Sequence, residues 1–212
     1  MLRLRVKFSR GEQLKFLSHL DLMRLWERAL RRAGIALAYS EGFSPHPRIS
    51  LAAPLAVGVT SHAEIMDIFL QGKTSPATFL EKVRLQLPDG IGAIDVTVAS
   101  LREPSLQSRL RFAEYVVTVQ VSTDSMLQEK IRELLSKDSL PWHHARDTGD
   151  KFYDLRALID DLWLEKLQDN TAIIGMRLRC GTSGAGRPEQ VTRALGCEDF
   201  PISIERTKLI FV

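Results

Sequence analysis

The start of the chain constrains the fold more than any other stretch. Across residues 3–8, basic and apolar side chains alternate without interruption, which is the two-residue period of a strand with one buried face. The apolar members are predicted to face a core. The basic members, Arg3, Arg5 and Lys7, are predicted to line the opposite face of a sheet, where they could contact phosphate.

The elements that follow predict a split β-α-β arrangement over residues 1–100. Ser18 and Asp21 can cap a helix that Gly34 ends. The remaining predicted elements are strands at 35–39 and 63–70, a short extra strand at 49–53, a helix at 75–87 and a strand at 91–99. This order is that of a ferredoxin-like (βαββαβ) domain.

The second half repeats the order after a predicted linker at 101–108, which contains Pro104. The predicted elements of residues 109–212 are strands at 112–121, 140–146, 172–180 and 203–211 and helices at 124–137 and 188–195. For residues 154–168 a helix, an added hairpin and a covering segment stay open. The predicted fold class is therefore α+β, with tandem ferredoxin-like domains and antiparallel sheets.

Composition excludes several chemistries. Cys180 and Cys197 are the only cysteines, too few for a four-ligand zinc or iron–sulfur site within the chain. We therefore expect neither a metal nor another cofactor. No apolar run approaches the roughly 20 residues that span a bilayer, and residues 1–5 lack the features of a secretory signal. A cytoplasmic protein without a membrane partner is expected.

Charge is unevenly distributed along the chain. Residues 1–60 carry ten Lys and Arg against four Asp and Glu, which favours a localised anionic partner such as nucleic acid. Arg177 and Arg179 repeat the alternation of basic and apolar residues in the second half. A solvated sheet face, or one covered by the other domain, is the alternative interpretation of the first basic strand.

The segment from Gly42 to Ser50 predicts an anion site. Its two prolines keep the backbone extended, while His46 can change charge near neutral pH and Arg48 offers a planar fork of donors. Ser44 adds a hydroxyl to the same stretch. A rigid surface turn is the alternative.

A glycine-rich segment in front of Pro188 is a second candidate. Backbone N–H groups at a helix start can hold an anion, and the candidate residues are Gly181, Ser183, Gly184, Gly186 and Arg187. The segment matches neither a P-loop nor a dinucleotide-binding motif. A flexible connector is the alternative.

Evidence for catalysis is sparse. His19 and His46 could act as an acid–base pair if the fold joins them. We find no Ser-His-Asp signal and no convincing pair of catalytic carboxylates. Whether the chain is an enzyme stays open at this point.

Two strings, Phe16–Asp21 and Gly42–Arg48, resemble the radical-SAM-linked protein family, a bacterial domain of unknown function found alone or fused to radical-SAM enzymes. The resemblance extends through Pro54–Val59 and recurs weakly at Asp154–Arg156 and Gly184–Pro188. It implies an RNA-related function beside a radical-SAM enzyme.

The first hypothesis is a non-catalytic RNA-binding accessory protein that works with a radical-SAM enzyme in tRNA or rRNA modification. The second is a metal-independent endoribonuclease that resembles CRISPR repeat-processing nucleases, with His46 or His19 as the general base. The third is a protein–protein scaffold whose basic face meets an acidic enzyme surface.

Overall fold

The chain forms two compact units, Met1–Leu110 with Phe211–Val212, and Arg111–Ile210. The computed structural model describes residues 1–122, 126–144, 149–181 and 184–212. The predicted linker, 101–108, lies within the first unit. There Leu106 is buried and begins a short helix, so this segment packs against the unit instead of spanning a gap.

In the first unit, the strands form one antiparallel sheet in the order β4-β1-β3-β2. Its elements are β1 (Leu2–Arg10), α1 (His19–Arg32), β2 (Ile49–Leu51), β3 (Thr60–Leu70), α2 (Pro76–Arg84), β4 (Ile91–Ala99) and α3 (Leu106–Arg109).

The apolar face of β1 is the centre of this core, as its alternation predicts. Leu4, Val6 and Phe8 are fully buried. Trp26, on the buried side of α1, meets the Phe8 ring edge-on at 5.1 Å between ring centroids. Burial of each such side chain is worth about 1.5–3 kcal/mol, so the packing of α1 on β1 is a main contribution to stability.

The predicted bounds of α1 are confirmed by its caps. The Asp21 N–H donates to Ser18 Oγ at 3.2 Å, and Gly34 follows the helix with φ 68°. This left-handed conformation is favourable for glycine because it has no Cβ.

The predicted strand at 35–39 is wrong. This stretch makes only isolated bridges, Leu37 with Leu70 and Tyr39 with Pro47, and the short extra strand predicted at 49–53 is observed as β2. Proline offers no N–H to a ladder, so Pro45 and Pro47 limit pairing on this side to single bridges.

In the second unit, β9 lies between β5 and β8, and β11 neighbours β5. The elements are β5 (Leu110–Gln120), α4 (Leu127–Ser136), β6 (Pro141–His144), β7 (Lys151–Asp154), β8 (Ile159–Gln168), β9 (Thr171–Gly181), β10 (Gly184–Ala185), α5 (Pro188–Ala194) and β11 (Ser203–Phe211).

The region left open at 154–168 is mostly strand, not helix. The β8 strand pairs antiparallel with β9, and Trp163 lies opposite Gly175. A Cβ at Gly175 would lie 2.0 Å from the Trp163 ring, so only glycine leaves room for this indole. The strand predicted at 140–146 is observed at 141–144 as β6, which pairs with β7 in a separate two-stranded sheet. Residues 145 and 146 lie outside the described residues.

The architecture is therefore mixed α+β, with largely antiparallel strand pairing and five α-helices among the described residues. None of these helices combines the length and the apolar character needed to traverse a bilayer.

Candidate nucleic-acid interface

Arg3, predicted to line an open basic face of β1, is enclosed by the protein. Its side chain is 4% exposed, and its Nη2 lies 2.5 Å from Asp67 Oδ2. The guanidinium also donates to the carbonyl oxygens of Ser100, Glu103 and Pro104 at 2.8–3.1 Å. Arg3 therefore binds the predicted linker segment and is not accessible to an RNA phosphate.

Arg5 is also paired with acidic residues. Its Nε lies 3.0 Å from Asp67 Oδ1, and its Nη1 lies 3.1 Å from Glu103 Oε2. Burial disfavours the charge of Arg5, but the hydrogen bonds and charges of Asp67 and Glu103 outweigh it and raise the pKa of the guanidinium. The pKa of Glu103 is lowered, first by the Ser100 N–H and then by Arg5. Lys7 alone of the three is exposed.

An aromatic ring also lies on this face. Phe69 is directly opposite Arg3 in the β1–β3 register. The Arg3 guanidinium carbon lies 5.6 Å from the ring centroid and that of Arg48 lies 4.5 Å from it. Both distances are within the range of cation–π contacts. Two cations thus cover Phe69, which makes it unsuitable for stacking on a base.

The anion site predicted at residues 42–50 lies largely in an exposed loop, residues 40–48, called the proline loop from here on. Ser40 and His46 close it reciprocally: the Ser40 N–H donates to the His46 carbonyl at 2.9 Å, and the His46 N–H donates to Ser40 Oγ at 3.0 Å. Gly42 has φ 120° at the tip, and the adjacent Phe43 is fully exposed.

The three predicted binding residues of the proline loop, Ser44, His46 and Arg48, are all exposed. His19 is exposed as well, at the first position of α1. Within the described part of the chain, no hydrogen bond or ion pair joins the two histidines. The structure therefore shows no assembled acid–base pair.

Of the two basic residues on β9, Arg177 is neutralised and Arg179 is not. Arg177 lies 2.9 Å from Glu114 and 3.5 Å from Asp160. The hydrogen bond with Glu114 is the main reason that the pKa of Arg177 is raised. Arg179 is exposed, and it has no carboxylate partner among the residues that the structure describes.

The described part of the glycine-rich segment pairs antiparallel with the end of β9. Gly184 lies opposite Gly181, and the Gly186 N–H donates to the Arg179 carbonyl at 2.9 Å. Arg187 is exposed, 3.7 Å from Glu189. Ser183 lies outside the described residues. Since the Gly186 N–H already donates to a backbone carbonyl, this segment offers fewer free N–H groups to an anion than the sequence predicted.

A buried arginine that the sequence analysis missed organises the N-terminal motifs. Arg10 is 1% exposed, and its guanidinium donates to the carbonyl oxygens of Leu17, Ala56 and Val59. These carbonyls belong to the two stretches 16–21 and 54–59. Arg10 therefore joins two of the stretches that carry the family resemblance in the sequence.

The same two stretches carry exposed apolar side chains. Phe16, Leu20 and Val57 are 72%, 64% and 56% exposed, and the Gly58 N–H donates to the Lys15 carbonyl at 2.8 Å, which holds the stretches side by side. These three residues are called the apolar patch below. Exposed apolar side chains on neighbouring stretches of a protein surface often mark protein contacts.

The stretch Asp154–Arg156 has a structural role. Asp154 Oδ1 accepts the N–H of Leu140 at 2.8 Å and that of Arg156 at 2.9 Å. The Leu140 N–H is the main cause of the lowered pKa of Asp154. Arg156 in turn donates to the carbonyls of Leu135 and Ile159. This corner therefore ties α4 and β8 to the hairpin β6–β7.

Two signals for the missed residues were present in the sequence. Asp67 is a carboxylate in the predicted strand 63–70, whose other residues apart from Glu64 are apolar, and a buried carboxylate at such a position calls for a cation. Phe43 stands alone between Gly42 and a serine, outside any apolar period.

No group of three or more His, Cys, Asp or Glu side chains that could hold a metal occurs among the described residues.

Solved structures resemble this fold at low identity. One is a chain of a Cbf5–Nop10–Gar1 complex, with TM-score 0.53, 9% identity and coverage of 97% of this chain and 48% of that chain. A second is a chain of the archaeal box H/ACA Nop10–Cbf5 complex, with TM-score 0.50, 8% identity and coverage of 96% of this chain and 46% of that chain. A third is a chain of an H/ACA RNP bound to a substrate RNA, with TM-score 0.52, 9% identity and coverage of 96% of this chain and 46% of that chain.

The chain thus spans about half the length of these structures, and the similarity concerns the fold alone. No protein with a curated description is significantly similar in sequence. A family model described as an uncharacterized protein conserved in bacteria matches residues 3–188, which is most of the chain. This protein therefore belongs to the DUF2344 family of uncharacterized bacterial proteins.

Proposed function

We propose that this protein is a non-catalytic RNA-binding accessory protein that assists a radical-SAM enzyme in tRNA or rRNA modification. The proline loop is the observation that carries the RNA contact. Its tip presents the fully exposed ring of Phe43, with His46 and Arg48 on the same short loop. Aromatic rings that stack on bases and cations that meet phosphates are the usual means of single-strand recognition.

The loop is better suited to this contact than the basic strand faces. Arg3, Arg5 and Arg177 already have carboxylate partners, and an incoming phosphate would have to compete with them. Arg48 and His46 are exposed. The fold similarity to a chain solved with a substrate RNA is compatible with an RNA-related function.

Replacing Phe43 with alanine is expected to weaken binding of single-stranded tRNA or rRNA fragments by about 5- to 150-fold, the equivalent of about 1–3 kcal/mol per stacked base. Because the ring is fully exposed, the free energy of unfolding should change by less than about 0.5 kcal/mol. Fluorescence anisotropy with labelled RNA measures the affinity.

Phe16→Ala is the matched control for this experiment, since Phe16 is 72% exposed in the same unit. We expect it to leave RNA affinity unchanged. Affinity should also fall linearly with the logarithm of salt concentration between about 50 and 200 mM, as expected for phosphate contacts. Absence of RNA binding at the lowest salt, or equal effects of the two alanine variants, would refute the proposed RNA contact.

The partnership with a radical-SAM enzyme rests on the family resemblance, and the apolar patch supports a protein partner. After nuclease treatment, a protein with the CxxxCxxC cluster motif should co-purify with the wild type and be reduced several-fold by Phe16→Ala. Phe43→Ala, the reciprocal control, should retain it. Mass spectrometry identifies the partner, and recovery of no such protein from the native host argues against the partnership.

The endoribonuclease alternative gains no supporting observation. His19 and His46 are exposed and unconnected within the described residues. Incubation of RNA in EDTA with the wild type and His46→Ala tests this alternative. Cleavage by the wild type that His46→Ala loses would support it, and equal cleavage or none would remove it.

The tandem ferredoxin-like architecture is part of the same proposal. Its support is the strand order β4-β1-β3-β2 of the first unit and the order β8-β9-β5-β11 of the second, with β6–β7 as an insertion. The ferredoxin-like fold is common among RNA-binding modules.

A further inference from the structure

A small cavity lies between the hairpin β6–β7 and α5 in the second unit. Its volume is about 270 Å³, and its walls include the aromatic side chains of Trp142 and Phe200 and the amide of Gln190. Sites for drug-sized ligands usually enclose about 300–1,000 Å³. This cavity therefore suits a single small ring system better than a whole nucleotide.

The Gln190 amide is incompletely satisfied. The residue is 5% exposed, and its Oε1 accepts a hydrogen bond from the Tyr153 hydroxyl. Its Nε2 is buried and has no partner among the described residues. A buried donor without an acceptor is unfavourable. A ligand whose acceptor reaches this nitrogen, once the amide turns toward the cavity, would therefore be stabilised.

The cavity is also rich in acceptors. Glu189, Glu198 and Asp199 line it, against one permanent cation in the lining, Arg193, and Glu189 also lies 3.7 Å from Arg187. This excess of negative charge disfavours phosphate inside the cavity. It favours a neutral ligand whose N–H groups can donate to carboxylates.

The two aromatic walls favour a flat ligand. Trp142 is half-buried, and Phe200 is 70% exposed, so both can contact a ring placed in the cavity. An organic cation would suit the aromatic rings and the carboxylates. The charged group of such a cation cannot accept a hydrogen bond from Gln190 Nε2, however, whereas a nucleobase is flat and carries both acceptors and N–H donors.

We propose that this cavity binds one unpaired nucleobase of an RNA strand. The phosphates of that strand remain outside the acidic walls. The inference deepens the proposed RNA binding and rests on it for the source of the base. Recognition of the base in the second unit is separate from the contact at Phe43 in the first.

The test uses the full chain and measures two ligands by calorimetry or fluorescence. The first is a set of the four free ribonucleosides, and the second is a short single-stranded RNA compared with an abasic strand of equal length. We expect the nucleosides to bind and the RNA to displace them. The abasic strand, which keeps the charge but lacks bases, should not displace them.

Two variants probe the cavity. Gln190→Glu keeps an oxygen for the Tyr153 hydroxyl but removes the amide donor, and it should weaken nucleoside binding at least about tenfold. Gln168→Glu makes the same chemical change at an exposed position and should have no effect. Phe200→Ala removes a mostly exposed ring, so the fold should persist while nucleoside binding weakens about fivefold or more.

Phe43→Ala separates this inference from the proposed function. It should weaken RNA binding but leave nucleoside binding unchanged. If nucleosides do not bind the wild type, or if folded Gln190→Glu and Phe200→Ala variants bind them normally, the cavity proposal is overturned, while the Phe43 result still judges RNA binding. Nucleoside binding that RNA cannot displace would overturn RNA as the source of the base.

Discussion

Replacing Asp67 with alanine is expected to lower the free energy of unfolding by about 3–5 kcal/mol. Asp67 is the carboxylate that compensates two arginines, and its side chain is 2% exposed. Its removal leaves Arg3 charged and buried without a counter-ion. Since three carbonyl oxygens still accept hydrogen bonds from Arg3, we expect a loss near the lower end of this range.

Urea denaturation measures this loss, and Asp95→Ala is the matched control. Asp95 is an exposed carboxylate on the neighbouring strand β4, where a substitution should cost less than about 0.5 kcal/mol. A double variant, Arg3→Met with Asp67→Leu, should lose less than Asp67→Ala because it leaves one buried charge fewer without a partner. Equal stabilities of Asp67→Ala and Asp95→Ala would show that the ion pair contributes little.

Replacing Arg10 with methionine is expected to cost about 3 kcal/mol or more. The substitution keeps an apolar stem but withdraws the donors from three carbonyl oxygens, those of Leu17, Ala56 and Val59. Loss of a partner to a buried acceptor costs about 1–3 kcal/mol each, and such losses are not strictly additive. The two stretches that carry the apolar patch should then separate.

Hydrogen exchange at the Gly58 amide reports this separation, because that N–H donates to the Lys15 carbonyl across the two stretches. We expect faster exchange in Arg10→Met than in the wild type. Arg28→Met, which changes an exposed arginine on α1, is the control and should leave both stability and exchange unaltered. Unchanged protection of Gly58 in Arg10→Met would contradict the role given to Arg10.

Local patterns in the sequence predicted much of the secondary structure. The alternation in β1, the cap at Ser18 and the stop at Gly34 depend on residues close in the chain, and all three are confirmed. The failure at 35–39 also has a local cause. Pro45 and Pro47 lie on the returning side of that loop, so the donors needed for a continuous ladder are missing there.

The candidate sites were less predictable because their properties depend on distant partners. The sequence identified Arg3 as basic, but its counter-ion, Asp67, lies 64 positions away. The Gln190 amide becomes a candidate binding group only because the fold places it in a cavity lined by β6 and the residues after α5.

By itself, the sequence determined which residues of β1 face the core and where α1 begins and ends, because side-chain period and backbone conformation act over a few residues. Only the tertiary structure decided which cations are free to meet a ligand. Whether an arginine is neutralised depends on a carboxylate brought to within about 3 Å by strand pairing, and that distance is set by the fold.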